Sequence, residues 1–182
     1  YLQRGYVNSG AVLPDEFYRD GLVRFQIIEG RIEDLRLTGM GRLNEAYVRD
    51  RLVHKDELLN VTALQERFQL LLADPLFAKI NARLQPGSKL GMARLDLDVT
   101  RARPWDLAVF ANNYRSPSVG AEALGITGRV RNITGLGDAL DATVQGGQGD
   151  NNRYGIGWEL ALTKRMHARL RYENGKSNVL EE

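Results

Sequence analysis

The sequence predicts an α+β unit of order β-α-α-β-β, followed by antiparallel strands of a transmembrane β-barrel that is incomplete in this chain. Three observations predict it. Up to about Arg103 helix and strand periodicities alternate, whereas beyond Pro104 no segment holds a helical repeat and Gly and Asn become dense. The stretch NRYGIGWELALTKRMHARLRYENG, Asn152 to Gly175, alternates by two on either side of Lys164–Arg165. That period marks strands with one apolar and one polar face. Between the two regimes, RARPW (Arg101 to Trp105) carries a proline that interrupts the pattern and sets a boundary.

Composition bounds the function. The chain has 182 residues, 43% hydrophobic and 26% charged, enough for one or two domains. A formal charge of +2 is too balanced to point to nucleic acid. The absence of cysteine excludes disulfides, cysteine-ligated metal and thiol catalysis. No apolar run reaches the roughly 18–20 residues of a membrane helix, which a barrel does not need. The chain opens at Tyr1 as if in mid-element, so it is expected to be part of a longer protein.

The elements follow in order. YLQRGYVNSGAVLP reads as a helix end passing through Gly5 into a strand. DGLVRFQIIEG turns at Asp20–Gly21 into a second strand, with Val23, Phe25 and Ile27 against Arg24 and Gln26. RIEDLRLTG is a strand ending at Gly39. NEAYVRDRL is a short helix capped by Asn44, with Val48 and Leu52 four apart. NVTALQERFQLLLADP is a longer helix: Thr62 and Gln65 have the spacing of a capping box, and Pro75 should end or bend it. AKINARLQPGSKLG is a strand leading to a turn at Pro86–Gly87. MARLDLDVTRAR sets Leu95, Leu97 and Val99 against Asp96, Asp98 and Thr100.

After the boundary comes strand after strand. WDLAVFANNY is the first, ALGITGRVRN the second and ALDATVQGG the third, and the stretch from Asn152 supplies two more. One alternating set holds Leu124, Ile126, Val130, Leu140, Val144, Tyr154, Ile156, Trp158, Leu160 and Leu162; the other holds Arg129, Arg131, Asp141, Glu159, Arg169 and Arg171. Lipid offers a backbone no hydrogen bonds, so only a closed sheet crosses it without a helix. In a barrel the first set faces acyl chains and the second a wet lumen, with Tyr154, Trp158 and Tyr172 near the interfaces. A soluble sandwich shows the same alternation. The small residues on the apolar face and the arginines opposite favour the barrel.

Catalytic chemistry finds little support. His54 and His167 are the two histidines and neither has a second at ligand spacing, so no metal site is expected. Asp96 and Asp98 share one strand face, which reads as a solvated face before an acid–base pair. GLGD at Gly135–Asp138 lacks the third glycine and following helix of a dinucleotide loop and reads as a turn. No serine sits in a nucleophile elbow. Neither an enzyme nor a cofactor is expected.

The wording itself is specific. GYVNSGAVLP, DGLVRFQIIEGRIEDLRLTG, LNVTALQERFQLLLADP, ARLQPGSKLGMARLDLDV and FANNYRSPSVGAEALGITGRVRNITGLGDAL together resemble the two-partner secretion transporters, outer-membrane pores of the Omp85 superfamily that export haemolysins and filamentous adhesins. The resemblance covers almost the whole chain. It implies that residues 1–30 end a first periplasmic POTRA domain, 31–103 form a second, and 104–182 begin the barrel. Five strands do not close a barrel, the smallest having about eight. The resemblance also implies an exposed edge on the second strand of the POTRA domain, around Ala82, Arg83, Leu84 and Gln85. There a secreted exoprotein of adhesin or haemolysin type, in extended form, would add a strand. The neighbouring helix would offer Leu64, Phe68 and Leu71, and Arg67 and Arg83 would steer an acidic client. The periodicity of those helix residues equally suits plain core. Outer-membrane lipid is the other partner implied. A barrel-assembly factor of the same superfamily and a soluble periplasmic binding module are the alternatives.

Overall fold

The computed structural model describes residues 1–14, 18–19, 22–54, 56–114, 121–147, 151–163, 166–176 and 178. The chain divides into two units, Tyr1–Ala102 and Arg103–Glu182.

In the first unit a short 3-10 turn, Leu2–Arg4, stops at Gly5 with φ 84°. Strand β1 (Gly10–Val12) pairs antiparallel with β4 (Gln26–Ile28), while β2 (Tyr18–Arg19) and β3 (Leu22–Val23) pair with each other. The single strand expected through Val23, Phe25 and Ile27 is therefore broken. Arg24 and Phe25 belong to no strand, because the pieces on either side serve different partners. The expected turn at Asp20–Gly21 lies outside the described residues.

The β-α-α-β-β order is present as β5 (Arg31–Thr38), α1 (Glu45–Leu52), α2 (Val61–Leu72), β6 (Phe77–Pro86) and β7 (Met92–Arg101). The sheet order is β5-β7-β6, with β7 parallel to β5 and antiparallel to β6. The central position of β7 explains its clean alternation: Leu95, Leu97 and Val99 are buried on the helix side. Asn44 caps α1 as its position demands, accepting from the Ala46 amide at 2.9 Å. Val48 and Leu52 are 0% and 1% exposed. Burying each such side chain contributes about 1.5–3 kcal/mol before entropy is counted. The cap of α2 is Asn60 instead of Thr62: its Oδ1 accepts from the Ala63 amide at 3.1 Å, leaving Thr62 inside the first turn. That helix ends at Leu72, and Asp74 accepts from the Leu76 amide at 2.9 Å as the chain turns through Pro75 into β6. Gly39, after β5, holds φ 74°, and a Cβ there would lie 1.9 Å from the Val99 carbonyl oxygen. No other residue fits this approach.

The second unit is an antiparallel meander. It comprises β8 (Trp105–Asn112), β9 (Ala123–Arg131), β10 (Ala139–Gly147), β11 (Arg153–Ala161) and β12 (His167–Gly175), in the order β12-β11-β10-β9-β8. Among the described residues β8 and β12 are open edges, so the barrel is not closed.

Candidate functional site

Two surfaces stand out, one in each unit. In the first, β6 is a sheet edge, pairing only with β7 among the described residues. Every residue from Asn81 to Pro86 is exposed, which brings the predicted Ala82, Arg83, Leu84 and Gln85 onto one uncovered edge. Ala82 and Leu84 lie opposite Leu97 and Leu95 and so share the helix-facing side of the sheet, while Arg83 and Gln85 take the other side. A groove of about 780 Å³ reaches the end of this edge at Leu84, Gln85 and Pro86 and is walled across from them by Val7 to Gly10 and Val12. Sequence reasoning missed that wall, because only tertiary folding brings the N-terminal segment there.

The helix residues behave differently from the edge. Leu71 is 2% exposed and belongs to the core, so it offers no grip to a client. Leu64 and Phe68 are half-buried against that core. Arg67 is engaged: it grips Glu57 bidentately at 2.7 and 2.6 Å and donates to the Leu52 carbonyl at 3.2 Å. That clamp, which raises its pKa further, leaves no free guanidinium to steer a client.

On the opposite face of this sheet Asp96 lies between Arg36 and Arg83, and Asp98 between Thr38 and Asn81. The Thr38 hydroxyl donates to Asp98 at 3.1 Å. The two aspartates lie in separate rows among cationic and polar neighbours. His54 sits 3.5 Å from Glu57, and His167 sits 3.6 Å from Glu159. Among the described residues no three His, Asp or Glu side chains converge as a metal site would require.

In the second unit the register aligns the alternating sets across all five strands. Trp105, Val130, Leu140, Trp158 and Leu170 form one row; Leu107, Gly128, Ala142, Ile156 and Tyr172 the next; Val109, Ile126, Val144, Tyr154 and Asn174 a third. Directly paired residues share a face, so one face of the sheet is uncharged and, Asn174 apart, apolar, with Leu124 continuing it. Trp158 shares its row with Trp105 near one end of the strands, and Tyr172 shares the next with Ile156. Leu160, opposite Ala168, lies beyond the tryptophan row, and Leu162 lies past the end of β11.

The other face is ionic. Arg129, Asp141, Gly157 and Arg171 make one row, and Arg131, Glu159 and Arg169 fall in the next. Asp141 is approached by Arg169 at 3.2 Å and Arg129 at 3.7 Å. It lies down on Gly157, where a Cβ would stand 2.9 Å from its oxygen. The missing side chain therefore lets an arginine of β12 reach a carboxylate two strands away. Arg131 pairs with Asp106, and Arg153 and Arg171 share Glu173.

The segment containing GLGD is a turn, as read. Gly135 and Gly137 hold φ of 90° and 80°. Burial pushes the Asp138 carboxyl up, but bonds from the Thr134 amide and hydroxyl and the Trp158 indole outweigh it and hold the pKa below the ordinary value.

No family model matches the chain. It is 26% identical over 149 residues to the heme/hemopexin transporter protein HuxB of Haemophilus influenzae, covering 77% of this chain and 25% of that protein. It is 24% identical over 139 residues to the outer membrane transporter CdiB of Dickeya dadantii, covering 76% and 24%. In sequence the chain is thus similar to two curated transporter proteins. The solved structure of CdiB from Escherichia coli shares the fold of this chain at a TM-score of 0.64 and 21% identity, over 88% of this chain and 31% of that one. BamA from Haemophilus ducreyi lacking POTRA domains 1-3 shares it at 0.66 and 15% identity, over 93% and 34%. The fold is thus a POTRA unit followed by barrel strands. The chain spans about a quarter of the length of the curated relatives it matches.

Proposed function

We propose that the chain is the POTRA-to-barrel section of an outer-membrane pore that exports a secreted partner protein, with the POTRA part in the periplasm. The observation that carries this is the register of β8–β12. It gathers the large apolar positions of the alternation on one face, Phe110 excepted, and every charged position on the other. The apolar rows face lipid and the ionic rows a water-filled lumen. The edge of β6 captures the partner, an exoprotein of adhesin or haemolysin type, by main-chain pairing, with Ala82 and Leu84 presented on the helix-facing side of the sheet. Residues 1–30 close a first POTRA domain and 31–103 make the second.

Extraction of membranes carrying the full-length protein with urea or alkaline carbonate tests the reading. Retention in the outer-membrane pellet supports it; release into the soluble fraction overturns it and leaves a soluble periplasmic module. The BamA-like fold favours one second reading, insertion of membrane proteins. Cross-linking from β6 separates the two by what is captured: a secreted chain, or a barrel precursor.

A further inference from the structure

The turn between β9 and β10 turns its polar groups inward and leaves apolar ones outside. Asp138 is 1% exposed and Asn132 8%. The carboxylate accepts from the Thr134 amide at 2.9 Å, the Thr134 hydroxyl at 2.8 Å and the Trp158 indole at 3.2 Å. Asn132 holds a left-handed φ of 58° and accepts from the Gly137 amide at 3.1 Å. Yet Ile133 and Leu136 are 40% and 48% exposed. A turn built for water would do the reverse, since burying polar groups is costly and exposing aliphatic ones gains nothing.

The register places this inversion at one end of the apolar face. Asn132 and Asp138 lie one step beyond Val130 and Leu140, whose row contains both Trp105 and Trp158. Trp158 reaches out of that row to Asp138. The Arg103 guanidinium stacks 3.7 Å from the centre of the Trp105 ring. Two tryptophans in one row at this end, aliphatic tips just beyond them and a cation alongside are the chemistry of the headgroup boundary. Strand β8 enters the sheet at Trp105, straight after the POTRA unit in sequence, so this end belongs to the periplasmic leaflet.

We propose that the β9–β10 turn is a membrane-interface anchor, inserting Ile133 and Leu136 at the glycerol level of the periplasmic phospholipid leaflet, with Asp138 as the positioning residue that holds Trp158 and the turn at that depth. The inference rests on the lipid-facing reading of the apolar rows. An indole N–H at the boundary otherwise bonds to water or a headgroup and tilts with it. An internal acceptor fixes both ring and turn.

The test uses the full-length protein in vesicles of phosphatidylethanolamine and phosphatidylglycerol carrying bromine at either a shallow or a deep acyl position. Leu136→Cys and Ile126→Cys each carry an environment-sensitive dye in a background otherwise free of cysteine. The Leu136 dye is expected to be quenched by shallow bromines more than deep ones, and the Ile126 dye by deep ones. Asp138→Ala is expected to abolish the shallow quenching at Leu136, and Asp138→Asn, which keeps an acceptor, to retain it. Deep quenching at Ile126 with none at Leu136 would overturn the anchor while leaving the pore reading intact. No quenching at either site would remove the lipid-facing reading and the anchor with it. Unchanged quenching in a folded Asp138→Ala variant would overturn the role of Asp138. The unmodified turn's dye depth decides the anchor even where that variant does not fold.

Discussion

Replacing Ile156 with Arg and, separately, Leu160 with Arg sets two heights of one strand against each other. Both residues belong to the apolar face of β11, and periodicity treats them alike. The register separates them: Ile156 lies level with Ala142 and Tyr172 in a middle row, whereas Leu160 lies level with Ala168, beyond Trp158. Four residues at about 3.4 Å of rise, tilted by about 40°, give about 10 Å of depth in an apolar band about 25 Å tall. An arginine near the midplane costs about 2–4 kcal/mol and one near the interface about 0–1. The difference, about 2–3 kcal/mol, is about 30- to 150-fold in the folding equilibrium. The assay is urea-dependent folding of the full-length protein into phospholipid vesicles, read by the gel mobility of unheated samples. Ile156→Arg should shift the midpoint strongly, Leu160→Arg slightly, and Thr143→Arg, on the ionic face, slightly or not at all. Equal costs at 156 and 160 would refute the row heights. No cost at either, with a large cost at Thr143, would mean that the faces are reversed.

Three further outcomes are expected. Gly157→Val should displace the Asp141 carboxylate from its seat, break its 3.2 Å bond to Arg169 and cost about 1–3 kcal/mol. Asp141→Asn added to that variant should then cost much less than it does alone, measured by the same urea titration. Because the folded pKa of Asp138 is depressed, its contribution to stability is present above the ordinary value of 3.8 and is lost as pH falls through the lower folded value. Urea midpoints measured between pH 5 and pH 3 should fall more steeply for the unmodified protein than for Asp138→Asn. A photo-cross-linker at Gln85 on the β6 edge should capture the partner protein, whereas one at Arg49 on α1 should not; equal capture at both sites would remove the edge assignment.

What the sequence discloses and what it hides divide along a physical line. Face is local: what lies on each side of a sheet acts on each residue in turn, so the two alternating sets of β9–β12 are legible one side chain at a time. Height is not local. It depends on which residues pair, and the rows that hold Leu160 and Tyr172 cannot be read from alternation because pairing is set by turns and neighbouring strands. The same distinction runs through the POTRA unit. Asn44 and Pro75 act on adjacent backbone and were read correctly. Thr62 has the spacing of a cap, but Asn60 takes the role while its amide also donates to the Arg4 carbonyl at 3.0 Å, a partner far off in sequence. Leu64, Phe68 and Leu71 share one stripe, and only packing decides that Leu71 lies under the sheet while the other two stay partly open.

On the proposed reading, the two surfaces solve one problem, the handling of an extended chain whose side chains vary along its length. An edge strand recognises main chain, which every client residue but proline supplies in full. A lumen wall must then avoid holding what the edge delivers. Free guanidiniums would bind each passing carboxylate through paired, charge-assisted bonds. Here Asp141 takes two of them, Arg129 and Arg169, and Glu173 takes Arg153 and Arg171. Gly157 lets the first cluster lie along the sheet instead of standing off it. A carboxylate shared by two arginines keeps both engaged while leaving the wall slightly positive. Asp141→Asn in the full-length protein should therefore release two guanidiniums into the lumen and shift pore selectivity in planar bilayers toward anions. Unchanged selectivity would mean either that this face does not line the conducting path or that the arginines find other partners, and a second substitution, Arg169→Gln, separates these by restoring the original selectivity only if Arg169 had been freed.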